Sequence, residues 1–209
     1  MKTILIVGST GTIGQGLISV FKNENCIEAS RSLETKENQI HLDLSSFKSI
    51  LDFLDRTKSI QVDILFMNSG IYVKEEREAE GYDFNVMVNA FGPYYLVREF
   101  CKYHPECKIV LTSSISILHA KLDMNPKKRK YIYSNTKLLE HILFYSLEER
   151  YPKNRFSYAH PGILPSRLSL SLHSPWMKRI IQHFGNRKED AISCLVLASK
   201  LDVPNGYWV

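Results

Sequence analysis

Along the chain, short apolar runs alternate with longer stretches whose apolar residues recur every three or four positions. Thr3–Val7, Cys26–Ser30, Gln39–Leu42, Ile64–Met67, Lys108–Thr112 and Phe156–Ala159 are the short runs. Several are rich in β-branched residues, which suits strands buried on both faces of a parallel sheet. Between them, Thr12–Lys22, Ser46–Arg56, Ala79–Lys102, Tyr131–Arg150 and Lys188–Lys200 carry helical spacing. The alternation predicts an α/β fold, a Rossmann-type doubly wound parallel sheet of six to seven strands with helices on both faces. No repeat, low-complexity tract or linker divides the sequence, so 1–209 reads as one domain. Residues 164–186 are less regular, with a short helix over Trp176–His183, and read as a lid or loop over substrate.

Ligands of such sheets gather beyond the carboxyl ends of the strands, so the residues following each run are the candidates. After the first run comes Gly8-Ser9-Thr10-Gly11-Thr12-Ile13-Gly14. Gly8 allows a tight turn, Gly11 lets backbone approach a ligand, and Gly14 lets the helix lie against the strand. The N–H groups at that helix start suit a pyrophosphate. A structural turn would carry the same glycines, but their position between a strand and an amphipathic helix favours a dinucleotide site.

After the second run, Ser30-Arg31-Ser32 places an Arg where it would meet the extra phosphate of NADP, whereas an acid there would bind the ribose of NAD. Glu28 lies near the spacing expected for that acid, yet falls in mid-strand. NADP(H) is therefore favoured, with NAD(H) the alternative. Asp43-Leu44 follows the third run, and Asp43 either caps the next helix or meets the adenine amino group. Asn68-Ser69-Gly70 makes a turn at the same edge, where it can pass a cofactor closely and tie neighbouring strands.

The candidate chemistry sits at Tyr133-Ser134-Asn135-Thr136-Lys137. Residues four apart share a helix face, so phenol and ammonium enter one space. A cation roughly 4–5 Å away, at an effective dielectric of about 20, is worth about 3–4 kcal/mol. That would bring a phenol from its usual pKa of about 10 toward neutrality and poise it for proton transfer. Tyr131 is six residues from Lys137 and cannot replace Tyr133.

Composition narrows the classes without choosing among them. At 44% hydrophobic and 23% charged, the 209 residues are those of an ordinary globular chain. A formal charge of +5 falls short of the basic stripe of a nucleic-acid binder. No stretch is long and apolar enough for a bilayer, and the apolar start runs straight into the glycine turn, unlike a secretory signal. Four cysteines without metal spacing read as reduced thiols in a cytoplasm, and the seven histidines show no ligand spacing, so no metal is expected.

The glycine turn, Asp43, Asn68-Ser69-Gly70, Asn89, Ser113-Ser114, the Tyr133/Lys137 pair and Pro161-Gly162 occur in the order seen in short-chain dehydrogenase/reductases. From Met1 to about Ser166 the chain resembles that family. The spacing of Gly8, Gly11 and Gly14 is closer to its extended or atypical branches, while the long C-terminal substrate domain of the extended enzymes is missing. Substrate class is thus left open. The resemblance implies that Tyr133 gives its proton to a carbonyl as hydride arrives from the nicotinamide. It implies that Lys137 lowers the Tyr pKa and holds the nicotinamide ribose. Ser114 would bind the reacting oxygen, with Ser113 the alternative if the register slips by one. Asn89 would hold a relay water. Pro93, four residues on, has no N–H to bond the Asn89 carbonyl, which supports that role independently; a kinked helix at a subunit contact is the plainer reading. Pro161-Gly162-Ile163 and Ser166 would line the nicotinamide side.

Leu168, Leu170, Leu172, Trp176 and Met177 fit an apolar lid, a core or a subunit interface equally. The basic loop Asn125-Pro126-Lys127-Lys128-Arg129-Lys130 reads first as solvated, and otherwise as a handle for an anionic substrate. Together these readings describe a cytoplasmic NADP(H)-dependent oxidoreductase acting on a small-molecule carbonyl or alcohol. It would form a homodimer or homotetramer through its two longest helices, with no nucleic-acid or membrane partner. A nucleotide-sugar epimerase or dehydratase and a non-catalytic NADP-sensing protein are the alternatives.

Overall fold

A computed structural model describes residues 1–121, 129–201 and 207–208. The first half runs β1 Thr3–Val7, α1 Thr12–Val20, β2 Asn25–Ser30, β3 Gln39–His41, α2 Phe47–Thr57 and β4 Ile64–Met67. A small hairpin follows, β5 Glu78–Ala79 and β6 Tyr82–Asp83, and leads into α3 Phe84–Val86, a π-helical turn Met87–Phe91 and α4 Gly92–Tyr103. Then come β7 Lys108–Thr112, α5 Ile132–Arg150, β8 Arg155–Ala159, α6 Arg167–Leu172, α7 Pro175–Phe184, α8 Lys188–Lys200 and β9 Tyr207–Trp208.

The main sheet has seven strands in the order β3-β2-β1-β4-β7-β8-β9, all parallel. From β1 the chain builds outward to β3, then crosses back to place β4 on the other side of β1. The crevice between β1 and β4 is the point where the winding reverses, and there ligands enter sheets of this kind. Successive strand residues alternate between two buried faces. Leu5 and Val7 join a core with Ile50 and Phe53 of α2, Leu96 and Phe100 of α4, and Phe144 of α5. Ile4 and Ile6 face the other way, onto Leu17 of α1 and Ile192 and Leu195 of α8. Both faces are dry, which is why the strands are continuously apolar.

Two segments depart from the sequence reading. The helix expected over Ala79–Lys102 begins instead with the β5–β6 hairpin, because Glu80 and Gly81 both take positive φ, 53° and 81°, and close a two-residue turn. The Asp83 carboxylate then starts the helix by accepting the N–H groups of Asn85 and Val86. Further on, Pro93 has no N–H to give the Asn89 carbonyl, and the turn just before it is widened to π geometry, with the Gly92 N–H bonded to the Met87 carbonyl. The second departure lies in 164–186, which forms two helices, α6 and α7, where one was expected. Among the described residues no helix is long and apolar enough to cross a membrane.

Candidate active site

Three strand ends meet at the β1–β4 crevice. Gly8 turns the chain with φ +81°, and a Cβ there would lie 2.9 Å from the Ser69 nitrogen, so the two loops touch backbone to backbone. Asn68 ties the edge together: its Nδ2 donates to the Gly8 carbonyl at 3.4 Å, and its Oδ1 accepts from the Thr112 hydroxyl at 3.1 Å. A Cβ on Gly14 would sit 2.3 Å from the Gly8 carbonyl oxygen, so α1 can lie against its own turn only without a side chain there. Gly11 differs, since the nearest atom to a Cβ would be that same oxygen at 3.4 Å, and the rest of its surroundings are open. α1 starts at Thr12 with no capping side chain and no acid in its first turn, leaving its positive end uncompensated. Ser9 is buried against the Ala29 carbonyl, and Ile13 packs on the second core face. Ser69 Oγ, beside Gly70, is buried without a hydrogen-bond partner among the described residues.

On the β2 side, Ser30 ends its strand and its hydroxyl lies 2.8 Å from that of Thr10; the Ser32 hydroxyl donates to Thr10 at 3.4 Å. Arg31 stands exposed between the two serines. Glu28 pairs with Ile6 and Gln39 within β2, short of the edge, because the strand continues to Ser30. Asp43 does not cap α2. Ser46 does, accepting the Ser49 N–H at 3.3 Å, while Asp43 Oδ1 accepts both the N–H and the hydroxyl of Ser45 at 2.9 and 2.7 Å. The Leu44 side chain belongs to the core, so only its backbone could meet a cofactor.

On the other side of the crevice, α5 carries Tyr133 and, one turn later, Lys137. The Tyr133 phenol lies beside the Ser114 hydroxyl, which also caps the turn Ile115–His119 by accepting the Ser116 N–H at 3.2 Å. That resolves the register of the serine pair: Ser114 faces Tyr133, while Ser113 is buried with its Oγ unpartnered among the described residues. Lys137 is buried, donates to the Thr112 carbonyl at 2.8 Å and forms an ion pair with Glu140. Here an expectation is overturned. Burial holds the Tyr133 phenol above its ordinary pKa; Lys137 and the Ser114 hydroxyl oppose this, and Glu140 reinforces it. The ammonium lowers the phenol as expected but is outweighed by burial and partly opposed by a carboxylate that periodicity alone did not single out, although Glu140 lies three residues past Lys137 on the same face.

Asn89 sits fully buried in the π turn. Its Nδ2 donates to the Ile71 carbonyl at 2.9 Å and to Thr136 Oγ1 at 3.2 Å, and Oδ1 accepts the Ile71 N–H at 2.8 Å. Thr136 in turn donates to the Tyr133 carbonyl at 2.8 Å, so Asn89 braces the helix that carries the phenol.

Pro161-Gly162-Ile163 follows β8 at the same edge. Asn186 holds this loop, accepting the Ile163 N–H at 2.7 Å and donating its own backbone N–H to the Ile163 carbonyl at 2.9 Å. Both ends of the 164–185 excursion are thereby tied, and the sequence reading had missed this residue. Ser166 caps α6, accepting the Ser169 N–H at 3.2 Å. Of the basic loop, Lys127 and Lys128 lie outside the described residues. Arg129 is engaged by the Asp83 carboxylate at 2.6 Å and the Val73 carbonyl at 2.9 Å, so it is not a free anion handle. Among the described residues no group of His, Cys, Asp and Glu could hold a metal.

The strand order and the polar groups gathered at the β1–β4 switch point define a doubly wound, Rossmann-type α/β fold. No family model matches the chain, and no curated protein matches it in sequence. Solved structures do match. Salutaridine reductase from Papaver somniferum shares 12% identity at a TM-score of 0.74, over 100% of this chain and 99% of that one. A short-chain dehydrogenase from Burkholderia cenocepacia, in complex with NADP, shares 16% at 0.72, over 99% and 89%. The 3-alpha-hydroxysteroid dehydrogenase from a Pseudomonas species, complexed with NADH, shares 19% at 0.70, over 100% and 94%. At these identities the likeness is one of fold.

Proposed function

We propose that this chain is an NADP(H)-dependent oxidoreductase that reduces a small-molecule carbonyl, or oxidises the corresponding alcohol, with Tyr133 exchanging the proton. The observation that carries this reading is the placing of Tyr133 on α5 beside Ser114 at the end of β7, one helical turn from a buried Lys137 that donates to the Thr112 carbonyl. The open side of Gly11, the uncapped start of α1 and the unpartnered Ser69 hydroxyl fit a dinucleotide lying across the crevice. Arg31, with the hydroxyls of Thr10, Ser30 and Ser32, fits the 2′-phosphate that distinguishes NADPH from NADH.

When bound, the nicotinamide supplies the hydride. Ser114 then donates a hydrogen bond to the carbonyl oxygen, and Tyr133 delivers its proton to that oxygen as negative charge develops there. A phenol held above its ordinary pKa keeps its proton at neutral pH and so has one to donate. Lys137 would hold the ribose hydroxyls next to the nicotinamide, and Pro161, Gly162, Ile163 and Ser166 would border its ring. The α6–α7 excursion would cover substrate.

The same reading includes one domain over 1–209, a cytoplasmic location and a homodimer or homotetramer. Free thiols at all four cysteines suit a reducing compartment, and Ile142 and Tyr145 are exposed on α5, where a second copy could pack. The test is Tyr133→Phe, assayed with NADPH against a panel of aldehydes, ketones and sugar-linked ketones. NADPH affinity should persist while turnover drops by about 100-fold or more. Equal turnover in both proteins rejects the catalytic assignment, and NADPH binding without turnover of any carbonyl by the wild type points to a cofactor sensor.

A further inference from the structure

Tyr133, Lys137 and Glu140 occupy positions i, i+4 and i+7 of α5 and so form one stripe along a single helix face. Its two charged members are almost wholly removed from water, Lys137 at 3% exposed and Glu140 at 1%. A buried carboxylate is costly unless paired, and a lone surface acid has no reason to be there. Glu140 is paired, and its partner is the ammonium next to the reacting phenol. The Thr112 carbonyl takes another Lys137 proton at 2.8 Å, so the ammonium is held between the end of β7 and its own helix.

We propose that Glu140 is a positioning residue that acts through Lys137: it fixes the ammonium against β7 and offsets its charge at the Tyr133 phenol, leaving the centre biased toward proton donation. This rests on the oxidoreductase reading for its consequence, but not for its measurement. The groups facing Glu140 are few. On α5 they are Lys137, Tyr133 and the neighbouring His141, whose Nδ1 lies 2.8 Å from the Lys137 carbonyl. From β8 Tyr158 faces it, its ring tilted against that of His141 and its hydroxyl hydrogen-bonded to Glu148. Lys137 is the cation among them. His141 is kept neutral at ordinary pH by burial, its pKa lowered to about 4. Burial raises the Glu140 carboxyl to about 7, still well below the range in which a phenol ionises, so Glu140 is an anion while Tyr133 titrates.

The test needs neither substrate nor cofactor. Protein labelled with 13Cζ-tyrosine is titrated by NMR, and the Tyr133 resonance is assigned by its loss in Tyr133→Phe. In Glu140→Gln the Tyr133 midpoint should fall by about one to two pH units, because the ammonium is no longer offset. Glu140→Asp keeps the charge and should stay within about half a unit of wild type. An unmoved midpoint in Glu140→Gln, or the same fall in Glu140→Asp, overturns the proposal, since a purely structural carboxylate would leave the phenol alone. If Glu140→Gln does not fold, wild type is compared with Lys137→Met/Glu140→Leu, in which no buried ion is left unpaired. Because the two charges offset each other at the phenol, the Tyr133 midpoint should move by less than about one unit, and a rise of about two units or more, as expected from losing an unopposed ammonium, overturns the proposal. Turnover in Tyr133→Phe bears on the oxidoreductase reading alone, so the two can fail separately.

Discussion

Asn89 gives both ends of its carboxamide to one residue, donating to the Ile71 carbonyl and accepting the Ile71 N–H. Asn85, one turn earlier, does the same for Val73, at 3.0 and 2.7 Å. Residues four apart share a helix face, and residues two apart share an edge of extended chain, so the two amides act as a strand would along 71–73. The chain leaving the Asn68-Ser69-Gly70 turn is fixed in this way without a further strand.

Asn85→Ala should therefore cost more than a surface substitution. It leaves the Val73 N–H without its partner, while the Val73 carbonyl keeps only the Arg129 guanidinium, an expected loss of about 1–3 kcal/mol in urea unfolding. NADPH affinity should be unchanged, because Asn85 contacts none of the crevice residues. Asn89→Ala should match it in stability. A loss below about 0.5 kcal/mol in either variant would mean that water replaces the amide.

The glycines of the first turn separate fold from ligand. Gly14→Ala must push against backbone at 2.3 Å and should lower stability and cofactor affinity together. Gly11→Ala meets only one atom, at 3.4 Å, and should fold with a melting temperature near wild type while losing NADPH affinity by about 10-fold or more. Thermal melts with NADPH titrations check this, and unchanged affinity in Gly11→Ala would remove the dinucleotide from this crevice.

Arg31→Ala addresses the choice of cofactor. If the guanidinium and the Thr10, Ser30 and Ser32 hydroxyls receive the 2′-phosphate, NADPH should weaken by about 10-fold or more, with NADH changed by about twofold at most. Equal weakening of both would assign Arg31 to some other part of the dinucleotide.

Much of this arrangement is legible in the sequence because it is local. The glycine turn, the Tyr133/Lys137 spacing and the apolar runs each depend on neighbours within a few residues, and each lies at the expected edge. What escaped detection depends on pairs far apart in sequence. Asn186 reaches back to Ile163, Asn85 and Asn89 reach Val73 and Ile71, and none leaves a periodic mark. The β5–β6 hairpin was hidden for a different reason: Glu80 is a good helix former, and only its positive φ next to Gly81 turns the chain. The direction of the Tyr133 pKa is not legible in spacing because burial, which raises it, outweighs the neighbouring ammonium, and the buried Glu140 carboxylate adds to the rise. Spacing shows which charges share a face, but not which of them are buried together.

The acid side of stability follows from a histidine outside the site. His104 is 5% exposed and stacked on Phe100, with ring centroids 3.8 Å apart. Burial lowers its pKa to about 4, against about 6.5 in the unfolded chain. Between those values the unfolded state holds the extra proton, so stability must fall as pH drops from about 6.5 toward 4. His141, also lowered to about 4, acts in the same sense. Glu140 acts in the opposite one: with its pKa raised to about 7, the folded state holds the extra proton above the unfolded value, and stability is lost as pH rises to 7. His160 joins the lowered histidines and Glu148 joins the raised Glu140, so a single-residue variant isolates the His104 contribution. Urea unfolding at pH 7.5 and 4.5 should show a loss in wild type that shrinks by about 2–3 kcal/mol in His104→Leu. The same pH dependence in both proteins would mean that His104 takes up its proton while folded.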